Sequence, residues 1–217
     1  MTRIGTWNLA GRWTDDHRAF LLGLECDVLL LTEVSERLEL AGHHLHLSVQ
    51  LMAARRRWAA VLSRTELTPL RDPHPASAMA IVEGTTYCSS ILPWKGAPST
   101  PPWVGPRHVD KTEHSVKALV ARLPARDLVW GGDWNHALEG REYAGSKGGR
   151  QHVLRALDGL GLKVPTTPLP HRIGGLLTID HIAVARAATV VSATRYVAEA
   201  DGKRLSDHDA YVVETDR

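Results

Sequence analysis

The unbroken apolar run Val28-Leu29-Leu30-Leu31, closing at Thr32-Glu33, constrains the fold of this chain more than any other segment. A strand with one wet face alternates apolar and polar side chains, so a continuous run of strand length needs cover on both faces. Such a strand belongs inside a layered structure. Leu128-Val129-Trp130 has the same character, and the Gly131-Gly132 pair that follows reads as a break. With 217 residues, 43% of them hydrophobic, the chain can cover such strands, and it is read as one domain over residues 1–217.

The remaining elements alternate around these strands. Ile4 to Leu9 reads as a strand that stops at Ala10-Gly11. Thr14 caps an acidic first turn (Asp15, Asp16) and a helix carrying Phe20, Leu21 and Leu24 on one side. His44–Leu51 and Trp58–Ser63 are shorter strands around Arg55-Arg56-Arg57, and 78–82 with 85–92 form a hairpin turning at Glu83-Gly84. Residues 93–106 hold five of the 12 prolines together with Trp94 and Trp103, the profile of a long functional loop. Val116, Leu119, Val120 and Leu123 fall at helical spacing, and Val153, Leu157 and Leu160 mark a further helix that Gly161 ends. Strands at 177–185, 190–197 and 210–214 complete an α/β chain. The Trp-Asn pair at 7 and 134 hints at two similar halves.

Composition excludes several functions. Twenty-six Lys and Arg against 24 Asp and Glu leave a formal charge of +2, too little to make nucleic-acid binding a default, so any basic surface is local. Cys26 and Cys88 lack CxxC spacing and read as small buried hydrophobes in a reducing compartment, with no disulfide. No stretch approaches the length of a membrane span and the opening residues lack a secretory core, so a cytoplasmic protein without a membrane partner is expected. Ser89 and Ser90 lie outside any GxSxG turn, against serine-nucleophile chemistry. His43, His44 and His46 alternate without matching carboxylates and are assigned no metal.

Three acidic residues follow apolar strands directly: Glu33, Asp133 in Gly132-Asp133-Trp134-Asn135, and Asp180 in Thr178-Ile179-Asp180-His181-Ile182. Leu205-Ser206-Asp207-His208-Asp209 leads into the last strand. Taken singly, each would suit a turn or a cap. Together with Asn8 they form a donor set suited to a hard divalent cation, Mg²⁺ or Mn²⁺.

The ordered series Thr6-Trp7-Asn8, Thr32-Glu33-Val34, Gly132-Asp133-Trp134-Asn135, Ile179-Asp180-His181-Ile182 and Ser206-Asp207-His208 resembles the endonuclease/exonuclease/phosphatase superfamily with the DNase I-like fold. The resemblance implies a four-layer α/β sandwich of two packed mixed sheets flanked by helices. It also implies a metal-dependent phosphoester hydrolase whose site lies on one edge of both sheets. Carried over, Glu33 looks like the main metal ligand, with Asn8 assisting and Asp207 as an additional ligand. Asp133 matches the residue that takes a proton from, or aligns, the attacking water, and Asn135 holds phosphate or nucleophile. His208 matches the donor to a non-bridging phosphate oxygen, and Asp180 the carboxylate that fixes its tautomer.

One position departs from the family pattern. Where the family commonly has His or Tyr to help the leaving oxygen depart, this chain has Ile91 in Ser90-Ile91-Leu92. Tyr87, Lys95, His108, His114 or a water at the cation are the alternative donors. The expected function is a nuclease acting by in-line water attack, with Trp94 and Trp103 as flat surfaces for bases and Arg57 on the phosphate backbone. A phosphatase or phosphodiesterase for small-molecule or lipid head-group phosphates is the alternative, and a catalytically quiet nucleic-acid or protein-binding domain ranks third. Sequence leaves the oligomeric state open; a monomer is assumed.

Overall fold

The computed structural model describes residues 1–216. The strands of the first half are β1 (Thr2–Asn8), β2 (Val28–Ser35), β3 (His44–Leu47), β4 (Leu51–Ala53), β5 (Arg56–Ser63), β6 (Leu67–Pro69), β7 (Ser77–Val82) and β8 (Thr85–Ser90). Those of the second half are β9 (Leu128–Asp133), β10 (Leu162–Lys163), β11 (Asp180–Ala185), β12 (Val190–Tyr196), β13 (Glu199–Ala200), β14 (Lys203–Arg204) and β15 (Ala210–Thr215). Three helices, α1 (Asp15–Gly23), α2 (His108–Val120) and α3 (Lys147–Gly159), lie between them.

The strands form a seven-stranded sheet in the order β12-β15-β1-β2-β5-β3, with β4 also on β5, and a six-stranded sheet in the order β10-β11-β9-β8-β7-β6. Each sheet has one parallel pair at its centre, β1 with β2 and β8 with β9, while the flanking pairs are antiparallel. The two sheets thus repeat one pairing scheme, in which β1 ends on Trp7-Asn8 and β9 is followed directly by Trp134-Asn135.

The apolar run of β2 explains the layering. Val28 and Leu30 point between the sheets, where they meet Ile4, Val61, Ala80, Val129 and Ile182. Leu29 and Leu31 point outward onto Leu21 and Leu24 of the α1 region. In β9, Val129 faces the inner core, while Trp130 packs outward against Val116 and Leu119 of α2 and Val153 and Leu157 of α3. The layers are therefore α1, sheet, sheet, and α2 with α3: the DNase I-like four-layer sandwich. Fully burying each such Leu or Val contributes about 1.5 to 3 kcal/mol.

Two local expectations are corrected. Gly131-Gly132 does not break the strand; both residues stay in the ladder opposite Ile182 and His181. A Cβ on Gly131 would lie 2.6 Å from the His181 carbonyl oxygen, and one on Gly132, at φ +121°, would lie 2.2 Å from that of Ser90. These glycines permit close backbone approach. The strand expected over 177–185 is also shortened: β11 begins at Asp180 rather than Leu177, because the Thr178 hydroxyl accepts the Asp180 N–H at 2.9 Å and Leu177 bridges to Pro170 instead.

Candidate active site

Strand direction gathers the site. Asn8 ends β1, Glu33 lies near the end of β2 and Asp133 ends β9. β11 and β15 run antiparallel to their neighbours, so Asp180 and the 205–209 loop enter at that same edge, with Asp180 paired directly to Asp133. Glu33 and Asn135 both adopt left-handed backbone, φ +48° and +52°, which turns their side chains out of the strand alternation. Each such non-glycine residue costs on the order of 1 to 3 kcal/mol, a strain that concentrates at functional positions.

Two hydrogen-bonded groups meet here, joined by one longer charge contact. The Asn8 Nδ2 donates to Glu33 Oε1 at 3.2 Å and to Asp133 Oδ2 at 2.9 Å, and Asn8 Oδ1 accepts the Ala10 N–H at 2.9 Å. Asn8 therefore serves the two carboxylates as a donor. Asp133 Oδ1 accepts the Asn135 N–H at 3.0 Å, while the Asn135 side chain donates to the Leu92 carbonyl at 3.0 Å. His208 Nδ1 donates to Asp180 Oδ2 at 2.8 Å, and its Nε2 lies 3.8 Å from Asp133 Oδ2.

The loop that presents His208 is itself pinned. Ser206 Oγ donates to the Asn8 carbonyl at 2.6 Å and accepts the His208 N–H at 3.1 Å. The Trp7 indole and Arg204 both donate to the His208 carbonyl at 3.2 Å. Next door, the buried Asp209 is clamped by Arg195 and Arg204, each at 2.5 Å. Asp207 alone of this loop is exposed, at the rim of the site.

Burial and neighbouring charge set the protonation states. Burial by itself would lower His208, but Asp180 and Asp133 outweigh it and carry the imidazole up to about 10, so it is an imidazolium at neutral pH. Burial pushes Asp133 up to about 7 against the pull of His208. Asp180 and Glu33 are also raised by burial, opposed by His208 and by Asn8 respectively.

Asp133, Asp180 and His208 offer ligand atoms that all lie within 4.8 Å of one another, a grouping able to hold a metal ion; while His208 is an imidazolium it has no lone pair for an ion, so Asp133 and Asp180 would supply the ligand atoms of this group. Asp180 Oδ1 is buried without a hydrogen-bond partner, which fits a cation better than a neutral filling. The donor set is oxygen-rich and therefore suits a hard divalent cation.

A model of the Endonuclease/Exonuclease/phosphatase family matches residues 5–208. The chain belongs to that family. Together with the Asp133, Asp180 and His208 cluster, membership makes it a metal-dependent phosphoester hydrolase. No match was found among curated proteins. Among solved structures, the chain is similar to a 3' phosphatase, NExo, from Neisseria bound to product DNA hairpin, with TM-score 0.75, 21% identity and 100% of both chains covered. It is similar to an AP endonuclease from Archaeoglobus fulgidus, with TM-score 0.72, 17% identity and 100% of both chains covered. It also resembles the AP endonuclease LMAP from Leishmania major, with TM-score 0.68 and 14% identity over 98% of this chain and 86% of that one.

Three substrate-side expectations meet different fates. Trp103 is 1% exposed, edge-on to Trp58 and stacked on His74, so it is a core residue and offers no face to a base. Arg57 is tied to Glu36 at 2.7 Å and to the Ser48 and Val49 carbonyls, away from the site. Its neighbour Arg56 instead reaches Glu33 Oε2 at 2.9 Å. Successive strand residues point to opposite faces, so choosing 57 over 56 inverts the assignment, and sequence holds no mark of which is correct. Trp94 stays half-buried at the surface, edge-on to Trp103.

Ile91 is buried with Trp58 and Trp103. Of the suggested replacements, Lys95 is exposed, with its backbone N–H on the Ala144 carbonyl at 2.7 Å. Tyr87 sits in the inter-sheet core, His114 is exposed on α2 with Nδ1 at the Asp110 carbonyl, and His108 has its ring nitrogens at Ser146 Oγ and the Pro93 carbonyl. No helix among the described residues is long and apolar enough to cross a membrane.

Proposed function

We propose that this chain is a nuclease that hydrolyses phosphodiesters with Mg²⁺ or Mn²⁺. One observation carries the reading: an imidazolium, His208, held between Asp180 and a raised Asp133, with Asn8 linking Asp133 to Glu33. Glu33, assisted by Asn8 and Asp207, would hold the cation, which when bound neutralises phosphate charge and makes water a better nucleophile. Asp133, lifted by burial to about 7, takes the proton of the attacking water near neutral pH. Asn135, anchored to the Leu92 carbonyl, sets the position of phosphate or water beside it. Asp180 accepts from Nδ1 of His208, which leaves the Nε2–H to donate to a non-bridging phosphate oxygen as charge builds in the pentacoordinate transition state. Trp94 is the remaining flat surface for a base.

The names of the similar structures, a 3' phosphatase with a DNA hairpin and two AP endonucleases, support a nucleic-acid substrate. Burial of Trp103 favours the second reading, a phosphatase or phosphodiesterase for small phosphoesters, because it removes one of two stacking surfaces. The test is turnover on single- and double-stranded DNA and RNA, nucleotides and phosphorylated inositols, with and without chelator. Cleavage that survives chelator and is equally fast in Asp133→Ala refutes the mechanism; turnover confined to the small phosphoesters selects the second reading.

A further inference from the structure

Both oxygens of Glu33 are already in use. Oε1 accepts from Asn8 at 3.2 Å and Oε2 from Arg56 Nη1 at 2.9 Å. The guanidinium has a seat built for it: a Cβ on Gly11, at φ +72°, would fall 2.2 Å from Arg56 Nε and 2.4 Å from Cζ and Nη2. Only a glycine lets the group lie flat against that backbone. Glu33, for its part, turns toward this corner through its left-handed φ of +48°.

Arg56 differs from the other arginines nearby. Arg57 is held by two carbonyls and Glu36, and Arg195 and Arg204 are spent on Asp209. Among the described residues Glu33 is the hydrogen-bonded partner of Arg56, whose side chain is 36% exposed. A guanidinium carries five N–H donors in a planar fork suited to phosphate, and the hydrogen bond to Glu33 uses one of them, on Nη1.

Resting on the reading of Glu33 as a metal ligand, we propose that Arg56 and the divalent cation compete for Glu33, and that a substrate phosphate settles the competition by drawing the guanidinium onto itself. Cation and phosphate then bind cooperatively, with Arg56 as the coupling residue. Linkage requires the effect to be reciprocal: phosphate tightens the cation as much as the cation tightens phosphate.

The test is a titration of the metal-free protein with Mn²⁺, read as free Mn²⁺ by paramagnetic resonance, with and without a short phosphorothioate oligonucleotide whose own Mn²⁺ binding is measured separately. Wild type should bind Mn²⁺ about 10-fold more tightly when the oligonucleotide is present, within the usual range of such couplings. Arg56→Gln should bind Mn²⁺ about 5- to 10-fold more tightly than wild type without oligonucleotide, and gain less than about 3-fold on its addition. Arg56→Lys keeps the charge and should stay near wild type. Gly11→Ala, which pushes the guanidinium from its seat, should move in the same direction as Arg56→Gln and covers the case in which that variant does not fold. Equal or weaker Mn²⁺ binding by the Gln variant overturns the proposal and makes Arg56 a prop for Glu33. If no protein binds Mn²⁺, the metal reading of the site fails with it; if Mn²⁺ binds and the unmodified oligonucleotide is cleaved but the affinities ignore Arg56, only this coupling fails.

Discussion

Replacing Asp180 by asparagine isolates one carboxylate of the imidazolium cage while keeping its shape. In the native site Asp180 Oδ2 lies 2.8 Å from His208 Nδ1, and together with Asp133 it lifts His208 from an ordinary 6.5 to about 10. A hydrogen bond to a charged group is worth about 1.5 to 3 kcal/mol, and each 1.36 kcal/mol moves a pKa by about one. His208 in Asp180→Asn should therefore titrate near 8 to 9, roughly one to two below its native value. At neutral pH the variant's His208 is still charged, so the loss appears on the alkaline side: at pH 10 about 1 to 10% of it remains imidazolium against about half in wild type, and kcat there falls by about 5- to 50-fold. Two measurements check this: the His208 ring-proton shift against pH in metal-free protein, and the pH profile of kcat. The native rate should rise through about 7, as Asp133 loses its proton, and fall through about 10, as His208 loses its own. In the variant the falling limb moves toward neutrality. A His208 that still titrates near 10 without the Asp180 charge refutes the electrostatic account.

The same shifts predict stability. Asp133 and His208 both have folded pKa values above their ordinary ones, so each contribution is whole below the ordinary value and is lost as pH rises through about 7 and about 10 respectively. Urea unfolding of the metal-free protein should show wild type losing about 1 to 3 kcal/mol more than Asp133→Asn between pH 5 and 8; parallel curves would contradict it. Leu30, fully buried between the sheets, should cost about 2 to 5 kcal/mol as Leu30→Ala in the same assay. Trp103→Ala should lose about 3 to 5 kcal/mol of stability as a core truncation. Trp94→Ala should leave stability nearly intact and weaken oligonucleotide binding by about 1 to 3 kcal/mol. Exchange of these two phenotypes would reverse their assignment.

How much of this was legible in the sequence depends on how local the cause is. Val28 to Leu31 announces a strand covered on both faces because periodicity is a property of neighbouring residues, and Leu29 and Leu31 do face α1 while Val28 and Leu30 face the second sheet. The ordered acids at strand exits likewise survive folding: Asn8, Glu33, Asp133, Asp180 and His208 gather on one edge through hydrogen bonds and a charge contact at 3.8 Å. Gly131-Gly132 misled because a glycine pair marks either a turn or a close approach, and only the neighbouring strand's Ser90 and His181 carbonyls distinguish them. Arg56 and Arg57 are chemically identical, and Trp94 and Trp103 nearly equivalent by composition. Which arginine meets Glu33 depends on the pairing of β5 with β2, and which tryptophan is buried depends on Trp58 and His74, distant in sequence. The chain by itself determined the long central strands and the chemical character of the edge, because these follow from local pattern, while the short strands β4, β6, β10, β13 and β14 have no such pattern. Tertiary structure alone decided which side chains share that edge and which protons they hold, because register and burial arise only when remote strands pair.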